Sequence, residues 1–340
     1  MERIWWERVP NAIKFLTDIT NAMVNQRSVV IQHVRPLPWH DYFMSLLRES
    51  VTQQDFSKTF EAVMDPDISD SGKALLQKYC EPEIIASYRP SKSPAVFLAE
   101  RDDIVFHRRY FLVTIDSESG FDAWETFISD YIKSRGKRGD QAVFVLDYTG
   151  TCQTSCKKGI TRFSYDSYIG EYDRTVFSMM ASSSVNEHPV IRRYIAELAV
   201  NVIGDDIECY EHLMETYSGF TDNPRAAMNP ETGLSEDEIA YRVWLAQIRT
   251  VYPLIEEYRR NLVERRYSDI SLRLPVKNGY GVTINDPDDI ELGTLVFLVE
   301  STDMYLNQRE FDKLKAYRNA RNTLSHLGTL TFDEIRFLVE

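Results

Sequence analysis

Cysteine is scarce in this chain: Cys80, Cys152, Cys156 and Cys209 are the only four, and none forms a C-x-x-C pair. That number is too small for a disulfide framework in a chain of 340 residues. Cys152 and Cys156 stand four apart, but no histidine follows at finger spacing, so no zinc site is expected. Long apolar runs are also missing. Nothing approaches the roughly 18 residues that a membrane span requires, and Met1-Glu2-Arg3-Ile4-Trp5-Trp6 carries no signal-type apolar core. The expectation is a cytoplasmic protein without membrane contact. Positive charge is the minority sign, with 39 basic against 52 acidic residues and a net charge of −13. Such a balance repels phosphate polymers and excludes a broad electrostatic nucleic-acid binder, while leaving room for one small basic site.

What is present is a globular composition, 43% hydrophobic and 12% aromatic, too apolar for a disordered chain. Val9, Ile13, Leu16, Ile19 and Met23 fall at helical spacing, and Ser28-Val29-Val30-Ile31 follows as a short buried strand. The prolines at 36 and 38 then forbid an immediate helix, and an amphipathic run resumes from His40 to Glu49. Helix, strand, loop, helix is how many nucleotide-binding α/β domains begin. Phosphate binding in that loop calls for glycines and a closing Gly-Lys-Ser/Thr, because backbone N–H groups must approach the phosphates unobstructed. This loop has no glycine. Gly72-Lys73-Ala74 offers no hydroxyl for Mg²⁺ and reads as a helix start.

Further strands are expected at Ala95–Leu98, Tyr110–Ile115, Ala142–Leu146 and Ile160–Phe163. A helix between them presents Trp124, Phe127, Ile128 and Tyr131 on one face. Strands apolar on both faces that alternate with helices imply a mostly parallel sheet. From Val185 onward the pattern is helical: Ile191–Val202, a helix opened by Gly204-Asp205-Asp206, and a long helix from Glu236 to about Arg266 that contains Pro253. Two further starts follow at Asp286 and Thr331. Ser235/Glu238 and Thr331/Glu334 have the spacing of capping boxes. Ser218–Gly233 reads as a boundary loop. The fold class is therefore α/β plus α, an N-terminal mostly parallel sheet flanked by helices and a C-terminal helical bundle. Its division is 1–184, a helical connector 185–233, and 234–340.

Several residues could carry chemistry. Asp116-Ser117-Glu118-Ser119 and Asp147 stand at carboxyl ends of expected strands, where α/β domains present functional groups and where a carboxylate also serves as a helix cap. Asp65-x-Asp67-x-Ser69 has Asp70 and Leu76 where a Ca²⁺ loop needs Gly and Glu, and reads as a capped turn. Trp5-Trp6 reads as core packing, and Lys133–Arg138 as a solvated loop that could meet an acidic partner. Near the C-terminus, Arg309, Lys313, Lys315, Arg318, Arg321 and His326 make one helix locally basic, with Arg321 and His326 about a turn and a half apart. Arginine that binds phosphate and histidine that moves a proton suit metal-free RNA cleavage. The same pair also suits a helix C-terminus, where cations complement the dipole.

Arg321-Asn322-x-x-x-His326 resembles the motif of HEPN domains, helical bundles that are often dimeric and in many cases are ribonucleases of prokaryotic conflict systems. The resemblance implies a composite site of Arg321, Asn322 and His326, a homodimer, and RNA as substrate of this helix. The N-terminal part resembles degenerate, P-loop-less relatives of STAND NTPases. That resemblance rests on Trp5-Trp6 to Pro10, the strand at Ser28–Ile31, Leu37-Pro38-Trp39, the Tyr110–Ile115 strand leading to Trp124, and Val143-Phe144-Val145-Leu146. It implies a sensor or scaffold in a bacterial antiviral complex, partnered by other proteins and needing no cofactor or metal.

Overall fold

The computed structural model describes residues 1–63, 72–136, 138–151, 155–223 and 234–340. The Asp65–Asp70 turn, Cys152 and residues 224–233 of the boundary loop lie outside the described residues. The chain forms two compact units, Met1–Asp173 and Arg174–Glu340.

The first unit runs α1 (Glu2–Arg8), α2 (Pro10–Val24), β1 (Ser28–His33), α3 (His40–Gln54), β2 (Thr59–Ala62), α4 (Lys73–Tyr79), α5 (Pro82–Ala86) and α6 (Pro94–Glu100). It continues through β3 (Arg109–Ile115), α7 (Glu118–Arg135), β4 (Val143–Thr149), β5 (Ile160–Ser164) and α8 (Tyr165–Tyr168). The five strands are all parallel, in the order β2-β3-β4-β1-β5. The side-chain period of two divides each central strand between two cores. On one face Phe111, Phe144 and Leu146 join Phe106, Trp124, Phe127 and Tyr131 beneath α6 and α7. The opposite face receives α1 and α2, whose Trp6 and Phe15 pack on Phe43 of α3 with ring centroids 4.6 and 5.9 Å away. Trp5 and Trp6 are both fully buried, as core packing demands.

The expected strand at Ala95–Leu98 is instead helix α6. Pro94 occupies its first turn, and the Ser93 hydroxyl accepts from the Val96 N–H at 3.4 Å. Ala95, Leu98 and Ala99 are buried, so the run is apolar all round and hydropathy alone cannot tell helix from strand. The true second strand, β2, is a short edge strand with no fully buried residue and leaves almost no apolar signature.

The helix α9 (Glu171–Ser182) crosses the boundary into the second unit, which continues as α10 (Pro189–Val202), α11 (Cys209–Glu215), α12 (Tyr217–Asp222), α13 (Glu236–Arg265) and α14 (Tyr267–Ser271). A two-stranded antiparallel ribbon, β6 (Val276–Lys277) and β7 (Thr283–Ile284), precedes α15 (Leu292–Ser301), α16 (Gln308–Ser325) and α17 (Phe332–Val339). The helix expected to open at Gly204 begins at Cys209. Both expected capping boxes are present, and Asn307/Glu310 adds a third at the start of α16. Helix α13 runs through Pro253 and packs on α10 and α16. The fully buried Gln247 of α13 donates to the Leu330 carbonyl at 2.9 Å and accepts from the Leu330 N–H at 2.8 Å, which fixes the approach to α17.

Candidate functional site

The strand order decides where a ligand site would lie. Strand β1 sits between β4 and β5, so chain leaving β1 travels to one side of the sheet while chain leaving β4 crosses to the other. The carboxyl ends of β1 and β4 are thus the switch point at which open α/β sheets bind ligands. Register pairs Ile31 with Asp147 and His33 with Thr149, and the pleat turns His33 and Asp147 toward the same face as diagonal neighbours. That face carries α3, which opens with His40.

These three residues meet. The Asp147 carboxylate, 3% exposed, accepts from His33 Nε2 at 2.8 Å through one oxygen and from His40 Nε2 at 2.7 Å through the other. With Nε2–H donated, the buried His33 ring presents Nδ1 to the Thr149 hydroxyl at 3.4 Å. Burial pushes the Asp147 carboxyl up, but hydrogen bonds from both imidazoles outweigh it and hold the group below the usual carboxylate range. The Asp147 hydrogen bond lifts the half-buried His40 imidazole above its ordinary value, against a smaller lowering by burial. Asp41 adds a contact to His40 Nδ1 at 3.5 Å.

Between His33 and His40 the chain is fastened at three points. The Val34 N–H donates to Asp166 at 3.0 Å, Leu37 is buried, and the Trp6 indole N–H donates to the Pro38 carbonyl at 2.9 Å. Trp39 adopts a left-handed φ of 46°, the sharp corner that brings His40 to the first position of α3. Across the mouth, the Gly150 N–H donates to the His33 carbonyl at 2.9 Å, and Gln32 Nε2 donates to the Gly150 carbonyl at 3.2 Å. Where a phosphate cradle would need open N–H groups, the Val34 N–H is taken by Asp166, and the carboxylates of Asp41 and Asp147 stand at His40 beside a segment whose own cation is Arg35.

Two of the three residues, His33 and His40, carry no local motif. Asp147 is legible as a carboxylate at a strand end, but it serves as an acceptor for two imidazoles and not as a helix cap. Asp116 is exposed, and the neighbouring Ser117 caps α7 by accepting from the Gly120 N–H at 3.2 Å. Among the described residues no group of three or more His, Cys, Asp or Glu side chains is arranged to hold a metal ion, and no disulfide joins Cys80, Cys156 and Cys209.

In the second unit, Arg321 and Asn322 lie in the last turns of α16 and His326 is its C-cap. Arg321 is ion-paired with Glu291 at 3.2 Å, while Asn322 and His326 are exposed. No side-chain hydrogen bond or ion pair joins the three to one another. Comparison with protein-family models and with curated proteins finds no match to this chain.

The titration directions fix a pH dependence. His40 has a raised folded value, so its contribution to stability is complete below the unfolded value near ~6.5 and is lost as pH rises through the folded value. Asp147, with a lowered folded value, contributes above the unfolded value near ~3.9 and loses that contribution as pH falls through the folded one. Thermal melts are therefore expected to show a decline in Tm above neutrality that is absent from His40→Gln, and an identical alkaline slope in both proteins would contradict the assignment.

Proposed function

We propose that the protein is a non-hydrolysing sensor or scaffold subunit that acts through protein partners. The observation that carries this reading is the closed segment from His33 to His40. In that segment Leu37 is buried, the Trp6 indole N–H holds the Pro38 carbonyl and the Asp147 carboxylate holds His40, which supports a fastened segment after β1 in place of an open phosphate loop. A five-stranded parallel sheet whose switch point is fastened in this way favours action through surfaces over phosphate chemistry at that point. The setting in a bacterial antiviral complex follows from the resemblance to P-loop-less STAND relatives.

A second reading, a metal-independent ribonuclease of HEPN type, gives Arg321 the role of holding phosphate, Asn322 of orienting it and His326 of acid or base; the exposure of His326 at the end of a basic helix favours it, and the Arg321–Glu291 ion pair weighs against it. One experiment addresses both. Purified protein incubated with ATP and Mg²⁺, and separately with RNA, is expected to turn over neither. Release of phosphate from ATP would overturn the scaffold reading, and RNA cleavage that disappears in His326→Ala would replace it with the second.

A further inference from the structure

The opposite, amino-terminal edge of the same sheet holds a cavity of about 660 Å³, within the size range of small-molecule sites. Arg27, Lys133 and Lys158 line it, and no carboxylate does. The three cations come from separate elements brought together by topology. Ser28 of β1 pairs in register with Ile160 of β5, so Arg27 and Lys158 precede adjacent strands, and Lys133 lies in the last turn of α7, which packs on β5. Lys78 and Arg109 of this unit are matched to Glu61, and Arg135 to Asp102. Arg27, Lys133 and Lys158 have no ion pair among the described residues.

A chain of net charge −13 has carboxylates to spare, yet none lines this cavity. Lys133 complements the carboxyl end of α7, but Arg27 and Lys158 stand at no helix end, so the dipole does not account for the cluster. An anion seated in the cavity is attracted by all three charges. Ile132 and Ile160 give the cavity an apolar floor, and Thr161 adds a hydroxyl. Gly159, at φ +93°, lies so close to α7 that an added Cβ would stand 3.0 Å from Ile132, so a side chain there would crowd the floor. A concave, partly apolar lining whose charged side chains are all cationic fits an organic phosphate better than a long acidic strand, which needs an extended track.

We propose that this cavity binds a small phosphorylated ligand through Arg27, Lys133 and Lys158. The proposal stands apart from the closed switch point, because it concerns the other edge of the sheet. Pyrophosphate is the probe. Calorimetric titration into the full chain is expected to give saturable binding that weakens ~tenfold or more in Lys133→Ala/Lys158→Ala, as loss of charge-assisted hydrogen bonds implies. The Lys133→Arg/Lys158→Arg variant is expected to bind within about threefold of the parent, since charge and donors persist. Without any substitution, pyrophosphate is also expected to slow acylation of Lys133 and Lys158 as read by mass spectrometry. Absence of saturable binding, equal affinity in the alanine variant, or binding of polyuridylate RNA or polyglutamate while pyrophosphate stays inert would each overturn the proposal.

Discussion

Asp147→Ala is expected to cost about 3–5 kcal/mol, the range for removing one partner of a buried ionic hydrogen-bonded set. The reason is asymmetry. Alanine deletes the acceptor of two imidazole N–H groups, and His33, 3% exposed, has no water to replace it. Four of the five tryptophans, Trp5, Trp6, Trp39 and Trp124, lie in the first unit, so Trp fluorescence in urea reports mainly on that unit. With m near ~1–3 kcal/mol/M, a loss of this size moves the midpoint down by roughly 1 M or more. Asp147→Asn keeps the shape and one carbonyl acceptor, and is expected to lose about half as much. An Asp147→Ala midpoint within error of the parent would show that the two histidines are satisfied some other way.

Trp6→Ala carries the second large effect, about 3–5 kcal/mol by the measure of buried aromatic truncations. Trp6 is 1% exposed and touches Phe15, Phe43 and Tyr165, so it joins three elements of the helical layer. Its N–H also satisfies the Pro38 carbonyl. Trp6→Phe separates these roles: it keeps most of the apolar contact and loses the hydrogen bond, with an expected cost of about 1–2 kcal/mol. Hydrogen exchange adds a local readout. The Val34 and Leu37 amides are expected to exchange faster in Trp6→Ala than in a core truncation of similar cost on the other sheet face, such as Phe111→Ala. Equal protection in the two variants would remove Trp6 from the fastening of this segment.

The layered order of the first unit was legible because its central strands are apolar on both faces. β1, β3, β4 and β5 all fall where Ser28–Ile31, Tyr110–Ile115, Ala142–Leu146 and Ile160–Phe163 place them, within a few residues. Capping boxes at Ser235 and Thr331 were equally legible, since their chemistry lies within four residues. The run at Ala95–Leu98 misled because a helix buried all round and a buried strand share one hydropathy. The candidate site was half visible. Asp147 stands out at a strand end, but its bonds to His33 and His40 span 114 and 107 residues of sequence, and only the strand order brings them together. The lack of glycine between β1 and α3 is plain in the sequence; the burial of Leu37 and the bonds from Trp6 to Pro38 and from His40 to Asp147 are tertiary features.

The proposed function requires the switch point of the sheet to be closed to nucleotide phosphates. Its most direct test follows the imidazole resonances of His33 and His40 by NMR while ATP and Mg²⁺ are added to the full chain. Both signals are expected to stay in place to millimolar ATP, because Asp147 is buried and both its oxygens are taken by the imidazoles, whatever binds at the far edge of the sheet. A saturable shift of the His40 signal at micromolar ATP, lost in a variant with Leu37→Arg, would contradict the account.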